Sequence, residues 1–319
     1  MKVLVTGAAG FIGSHLVDRL LACGHRVLGL DNFNQFYDPA IKASNLTEAL
    51  AHERFELVRG DICDQKLVNE VFERFKPDRL VHLAAWAGVR PSIENPSIYS
   101  DVNLGGTVTL FQACRHHGVS RISFASSSSV YGDREQVPFR ESDDVSTPIS
   151  PYAATKRAGE LLAYTWHHLF GLHIHCLRFF TVYGPRQRPE MAIAKFVKAI
   201  DEGETVTLFG DGNSARDYTY IDDIIDGLLR SVENVDGYQI YNLGNSTPTR
   251  LLDLVKMIGE ALDKTPVLSF LPMQPGDVSR TYADVQRARS DLGYVPRTAM
   301  EDGIRKYVAW YRQRGASNP

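Results

Sequence analysis

The chain has 319 residues, 44% of them hydrophobic and 23% charged, close to globular averages and enough for one large domain or two interlocked ones. A formal net charge of -3 with no basic run argues against a dedicated nucleic-acid or other polyanion binder. Cys23, Cys63, Cys114 and Cys176 have no paired spacing, and neither His116-His117 nor His167-His168 has metal-ligand spacing, so no disulfide framework and no metal site are expected.

No signal peptide precedes the first strand and no apolar run reaches membrane-spanning length, so the expectation is a soluble, cytoplasmic protein. Residues 2–6 are a short β-rich apolar run, suited to a strand buried on both faces. Gly7, Gly10 and Gly13 follow at once. The stripe Ile12, Leu16, Leu20 and Leu21 predicts a helix over 11–23, which Gly24 stops. A second strand over 27–30 ends at Asp31. Strand, glycine turn, helix, strand and acidic residue form the setting in which backbone approaches a pyrophosphate at a positive helix N-terminus. Asp31 is placed to accept hydrogen bonds from an adenosine ribose, and its carboxylate would repel a 2′-phosphate. Asn32-Phe33-Asn34 supplies no arginine to offset that, so NAD is expected rather than NADP.

Strand and helix signals then alternate: strands over 55–58, 79–83 and 121–125, helices over 66–75 and 101–117. The fold class this implies is α/β, a Rossmann-type doubly wound parallel sheet. Ligands of such sheets bind beyond the carboxyl ends of the strands, which puts Asp31, Asp61, Ala84 and the serines 126–129 along one crevice, with Asn103 near the next helix start. Four consecutive serines could be linker. They directly follow a buried strand and precede Val130-Tyr131-Gly132, which makes them strand-end hydroxyls instead.

Tyr152 and Lys156 open an apolar-striped helix over 152–170. Being four apart, they share a helix face. A phenol titrates near pH 10, too high for a proton acceptor, and an ammonium one turn away favours the phenolate. A tyrosine so tuned can take a proton from an alcohol and return it. With fourteen tyrosines in the chain, such a pair also fits a plain solvated helix; the crevice it faces favours the chemical reading.

A last long strand of the first half is expected over 173–182. Pro185 and Pro189 then mark the passage into a smaller C-terminal substrate-binding region. There a helix over 191–202, a strand over 205–209 and a turn at 210–212 follow, and residues 238–243 return to the first sheet as an added strand. The expected division is 1–182 plus about 236–250 for NAD, and 183–235 plus about 251–319 for substrate.

The pattern GAAGFIG, the serine run before Val-Tyr-Gly, and Tyr152-x-x-x-Lys156 together resemble the extended short-chain dehydrogenase/reductases, and later stretches narrow this to nucleotide-sugar enzymes over essentially the full length. The resemblance implies Tyr152 as base and acid, Lys156 as its tuner and nicotinamide-ribose ligand, and Ser127 as the hydroxyl partner. The cofactor contacts it implies are Gly7, Gly10, Phe11, Ile12, Gly13, Asp31, Asn32, Asp61, Ile62, Leu83, Ala84, Ala85, Asn103 and Ser126, beside Tyr152 and Lys156. It further implies Arg216 on a nucleotide diphosphate and Asp277 on the nucleotide ribose. Arginine's planar fork suits phosphate, although a lone arginine is usually a surface charge.

Branches of this family differ just after Ser127. The 4,6-dehydratases carry Asp-Glu and the uronate decarboxylases a glutamate, whereas Ser128 and Ser129 stand here and neither can protonate a leaving hydroxyl as a carboxyl can. Residues 178–189, 87–90 and 31–34 resemble UDP-glucuronate 4-epimerases. Thr181 stands where hexose epimerases usually have asparagine. Its hydroxyl, with those of Ser127 and Ser128, could hold a sugar carboxylate, and Arg90 or Arg188 could add charge; a β-branched residue ending a strand accounts for Thr181 equally well. Trp86 departs from the glutamine usual there.

The expected activity is therefore NAD-dependent 4-epimerisation of a UDP-sugar through a transient 4-keto sugar, most like UDP-glucuronate to UDP-galacturonate. A UDP-glucose or UDP-N-acetylglucosamine 4-epimerase, and behind it a UDP-glucuronate decarboxylase, are the nearest rivals. A non-catalytic dinucleotide sensor is the rival of another class. Pairing of the 101–117 and 152–170 helices into a homodimer is usual in the family. Leu104, Val108, Phe111, Leu161 and Leu162 could serve it or pack on their own sheet.

Overall fold

Alternating faces of short apolar strands decide the architecture, seen in a computed structural model that describes residues 1–273 and 278–316. Seven parallel strands form the main sheet: β1 (Lys2–Thr6), β2 (Arg26–Asp31), β3 (Phe55–Arg59), β4 (Arg79–His82), β5 (Arg121–Ser127), β6 (His173–Phe179) and, far along the chain, β10 (Tyr238–Leu243), in the order β10-β6-β5-β4-β1-β2-β3. In β1, Val3 and Val5 enter one apolar layer and Leu4 the other, and all three are fully buried. A strand covered on both faces in this way belongs in a doubly wound sheet.

On one side lie α4 (Gln65–Phe75), α7 (Thr107–His116) and α8 (Pro151–Phe170); on the other, α1 (Phe11–Ala22). Between β2 and β3 the chain makes a strap with two short helices, α2 (Pro39–Asn45) and α3 (Thr47–Leu50), the first capped by Asp38. After β4 come α5 (Val89–Glu94), α6 (Pro96–Tyr99) and a π-helical turn over Ser100–Gly106. The single helix expected over 101–117 is thus two segments, the first wider than an α-helix. Asn103 is buried in that turn, where its carbonyl accepts the Thr107 hydroxyl at 2.6 Å. Ser128–Tyr131 form one 3-10 turn after β5, and the Ser150 hydroxyl caps α8 by accepting from Ala153 N at 3.1 Å.

The expected strand over 173–182 is also two. β6 ends at Phe179, Phe180 N still donates to Leu243 O of β10 at 3.0 Å, and β7 (Thr181–Tyr183) joins a different sheet. That sheet has the order β11-β9-β7, from β9 (Ala215–Tyr220) and β11 (Pro248–Arg250). A third, two-stranded sheet pairs β8 (Thr205–Phe209) with β12 (Val267–Leu271), backed by α9 (Ala192–Glu202) and α11 (Leu251–Leu262).

One segment departs from the expected division. Helix α10 (Ile221–Asn234) packs against α1, β5 and β6, so it covers the main sheet although 183–235 was assigned to the substrate part. Helix α12 (Gln286–Leu292) also lies on α10 and β10, and α13 (Met300–Ala316) closes the smaller part against α11. No element is expected from the sequence between 219 and 238, and an amphipathic helix does not by itself name the surface that covers it.

Candidate active site

Beyond the carboxyl ends of the main strands lies a cavity of about 510 Å³. At one end is the glycine turn. Gly7 has φ +70°, and a Cβ there would stand 2.8 Å from Ala84 N, so only glycine lets the turn pass this close to the end of β4. No side chain caps the N-terminus of α1 at Gly10, which leaves its first amide groups to face the cavity. Gly10, Phe11, Ile12 and Gly13 line it there.

Asp31, at the end of β2, accepts Ala9 N at 3.0 Å and Phe33 N at 2.8 Å. Burial pushes its carboxyl above the usual range, and the bonds from Phe33 and Ala9 with the Lys42 charge only partly reverse that. Lys42, itself almost buried, donates to the carbonyl and side-chain oxygens of Asn34 at 2.8 and 2.7 Å and lines the same cavity. These features fit a dinucleotide: free amides for a pyrophosphate, a carboxylate for ribose hydroxyls, and volume.

At the other end α8 presents Tyr152 and Lys156. Lys156 Nζ donates to Ala125 O at 2.7 Å, and burial alone brings the ammonium down to about 8. Burial raises the Tyr152 phenol above its ordinary value, against the opposing pull of the Ser127 hydroxyl and the Arg188 charge. Burial is the largest cause of the shift in both groups. The ammonium is spent on a backbone carbonyl and stands 6.0 Å from the phenol ring centroid, while desolvation dominates both groups.

Ser127, Ser128 and Ser129 line the cavity beside Tyr152, and Thr181 at the start of β7 joins them because the strand leaves the main sheet at Phe180. Ser127 Oγ accepts Ser129 N at 3.1 Å and donates to Ser129 Oγ at 3.2 Å. Arg188 lines the cavity too, paired with Glu190 at 3.0 Å and lying over the Phe36 ring at 5.3 Å. Trp86 forms part of the wall, edge-on to Phe36 at 5.3 Å and to Tyr99 at 6.3 Å, and Tyr99 in turn meets Tyr152 at 6.2 Å.

Of the other expected residues, Asn32, Ile62, Leu83, Ala84 and Ala85 line the cavity. Asp61 sits at its edge, holding Asn32 Nδ2 and Cys63 N at 2.8 Å each. Asn103 is turned inward: its oxygen accepts Trp86 N at 2.8 Å, and its nitrogen donates to Trp86 O at 3.0 Å and to Thr155 at 3.1 Å. It fixes the wall rather than facing the cavity. Ser126 lines the cavity, but its hydroxyl is donated at 2.6 Å to Glu160. Arg90 lies over Phe209 at 5.0 Å, and Arg216 is on β9 opposite Thr249 of β11, outside this lining. Asp277 lies outside the described residues. Phe36, Tyr37, Lys42 and Met191 line the cavity and were not singled out in the sequence. Asp38-Pro39, a cap followed by proline at a helix start, was the one available signal that the strap holding Lys42 is ordered.

Residues 3–244 match the model of the NAD dependent epimerase/dehydratase family. The chain belongs to that family. This epimerase-family chain is 42% identical to a UDP-glucuronate 4-epimerase of Thermodesulfobacterium geofontis over 311 residues, 97% of this chain and 96% of that relative. It superposes with a TM-score of 0.93 on the crystal structure of UDP-glucuronic acid 4-epimerase from Bacillus cereus in complex with UDP-glucuronic acid and NAD, at 36% identity and covering 98% of this chain and 100% of that one. It also matches the UDP-glucose 4-epimerase of Thermotoga maritima with UDP-glucose, at TM-score 0.90 and 32% identity, covering 98% and 99%. The expected family, fold and NAD dependence all hold.

Proposed function

We propose that this protein interconverts UDP-glucuronate and UDP-galacturonate by inverting carbon 4, with Tyr152 as the proton acceptor and donor. The observation that carries the uronate reading is the wall beside Tyr152: hydroxyls of Ser127, Ser128 and Thr181 with the Arg188 guanidinium, and no carboxyl group after Ser127. Hydroxyls and a guanidinium suit a bound carboxylate, while a dehydration would need a second acid. The similarity to UDP-glucuronate 4-epimerases supports the same substrate.

NAD, when bound, would take the carbon 4 hydride and return it to the opposite face of the 4-keto sugar. Tyr152 takes the proton of the carbon 4 hydroxyl, with Ser127 hydrogen-bonded to the same oxygen. Lys156, held by Ala125 O, would donate to the cofactor's ribose. The 4-keto sugar then turns about its diphosphate linkage, for which Arg216 and Asp277 are the proposed grips, and Tyr152 returns the proton to the new alcohol. A 4-keto uronate is a β-keto acid and loses carbon dioxide when its carboxylate stands perpendicular to the ketone plane. Thr181, Ser127 and Ser128 keep it out of that alignment.

In the proposed homodimer, α7 and α8 pair with their copies. Leu161, Tyr164 and Leu169 on α8 are exposed, whereas Phe111 is fully buried against Phe124 and Trp166 and serves its own sheet. No helix among the described residues is long and apolar enough to cross a membrane, and a cytoplasmic setting agrees with four free cysteines. Incubating the purified protein with UDP-glucuronate deuterated at carbon 4, without added cofactor, tests the reading by NMR. The expected product is UDP-galacturonate retaining the label. Label lost to water, or turnover of UDP-glucose but not UDP-glucuronate, refutes it.

A further inference from the structure

We infer that Glu160 is a positioning residue, fixing helix α8 against the end of β5 so that the Tyr152 phenol stays opposite Ser127. The inference rests on Tyr152 being the acid and base. Tyr152, Lys156 and Glu160 recur every fourth residue and so form one stripe along α8. Lys156 and Glu160 fasten two consecutive turns of the helix to two consecutive residues of β5. Lys156 donates to Ala125 O at 2.7 Å, and Glu160 accepts the Ser126 hydroxyl at 2.6 Å. The next residue of the strand is Ser127, which pulls on the phenol.

Glu160 is wholly buried, yet its carboxylate stays below the usual range: burial would raise it, and the Arg178 pairing with the Ser126 bond outweighs that. Arg178 Nε and a terminal nitrogen reach the two carboxylate oxygens at 2.8 and 2.9 Å, and Arg157 adds a bond at 3.1 Å. Arg178 stands on β6 directly across from Ser126 in register. One carboxylate thus joins the helix to both strands that end at the reacting groups. A buried ion pair by itself is weak support for a stability role, since apolar residues of equal volume can serve as well. Here the pair takes in a hydroxyl of the cavity-lining serine run, which an apolar substitute could not do. With two arginines against one carboxylate, and burial the sole cause of the Lys156 shift, the function is geometric rather than a field acting on Lys156.

The test compares Glu160→Gln and Ser126→Ala with wild type as purified with NAD, measuring kcat and KM for UDP-glucuronate, the pH-rate profile and the melting temperature. A glutamine keeps the volume but sets an amide N–H against an arginine donor, whereas Ser126→Ala removes only the tie to the strand. Groups facing the phenol are Lys156 on its own helix, Ser127 on β5, Tyr99 of α6 and Arg188 after β7. When the phenol drifts from Ser127, it loses a bond that favours its ionised form, and the acid limb of the profile moves to higher pH.

Expected for Glu160→Gln is a kcat roughly tenfold to hundredfold lower, the scale of a misplacement near 1 Å, with KM changed by less than about threefold. Ser126→Ala should change kcat and the acid limb in the same direction, by less, with a fall in melting temperature smaller than that of Glu160→Gln. If both variants keep the wild-type kcat per bound NAD and the wild-type acid limb, and Glu160→Gln only melts lower, the positioning role is overturned. A Tyr152→Phe control separates the two ideas. Wild-type turnover in that control overturns the acid/base assignment along with this inference, while an inactive control beside unimpaired Glu160→Gln and Ser126→Ala overturns this inference alone.

Discussion

Lys156 is buried at 4% exposure, and its ammonium titrates near 8 instead of the ordinary 10.5. Each tenfold change in proton affinity corresponds to about 1.4 kcal/mol, so holding that charge in the folded protein costs about 3 kcal/mol at neutral pH. Lys156→Met removes the charge and fills the space with an unbranched apolar chain. It also takes the charged 2.7 Å donor from Ala125 O, a loss of about 2 kcal/mol. The variant, freed of NAD, should therefore unfold at higher denaturant, by about 1 kcal/mol, while turnover collapses. Group by group the sign is fixed. Above pH 10.5 both states of the wild type are neutral; between 10.5 and about 8 the unfolded chain binds the extra proton, and below that the full cost is present. Wild-type stability should thus rise relative to Lys156→Met as pH climbs from 8 to 10.5. Urea titrations at pH 7 and pH 10.5 on both proteins measure this, and the difference between variants cancels the other lysines and tyrosines. Equal stability at pH 7, or a difference that does not change with pH, would refute the view that desolvation governs this lysine.

Further expectations concern the same cavity. Tyr152→Phe should lower turnover by roughly two to four decades with UDP-sugar binding kept, measured by steady-state kinetics and calorimetry. Thr181→Ala should raise the fraction of pentose product relative to epimer, read by NMR, because one hydroxyl of the carboxylate-holding set is gone; an unchanged ratio counts against that set. Asp31→Ser should weaken NAD retention and narrow its preference over NADP, read by displacement of bound cofactor. The carboxylate both orders the loop through Ala9 N and Phe33 N and repels a 2′-phosphate.

Much of this protein is written in local pattern. The βαβ unit, the glycine turn and Asp31 occupy adjacent stretches, and their chemistry is set by backbone and spacing, so each is found where the sequence puts it. Tyr152 and Lys156 share a helix face because helical geometry requires it. What a residue does with its polar atoms depends on neighbours far along the chain. Ser126 and Asn103 look like ligands of the crevice, yet one hydroxyl is taken by Glu160 and one amide by Trp86 and Thr155. Lys156 turns to Ala125 O, and the burial that shifts both it and Tyr152 exists only once β5 and α8 pack together.

The same division holds for topology. The apolar run at 173–182 announces a strand from sequence alone. That the strand changes sheets at Phe180, delivering Thr181 to the cavity, depends on β9 offering backbone partners some 35 residues later. That α10 covers β5 and β6 depends on which apolar surface was left uncovered. Sequence determined the elements, the cofactor turn and the reactive pair, because these follow from short-range geometry. Tertiary structure decided which hydroxyls remain available and how the titrating groups are shifted, because burial and hydrogen-bond competition arise only when distant segments meet.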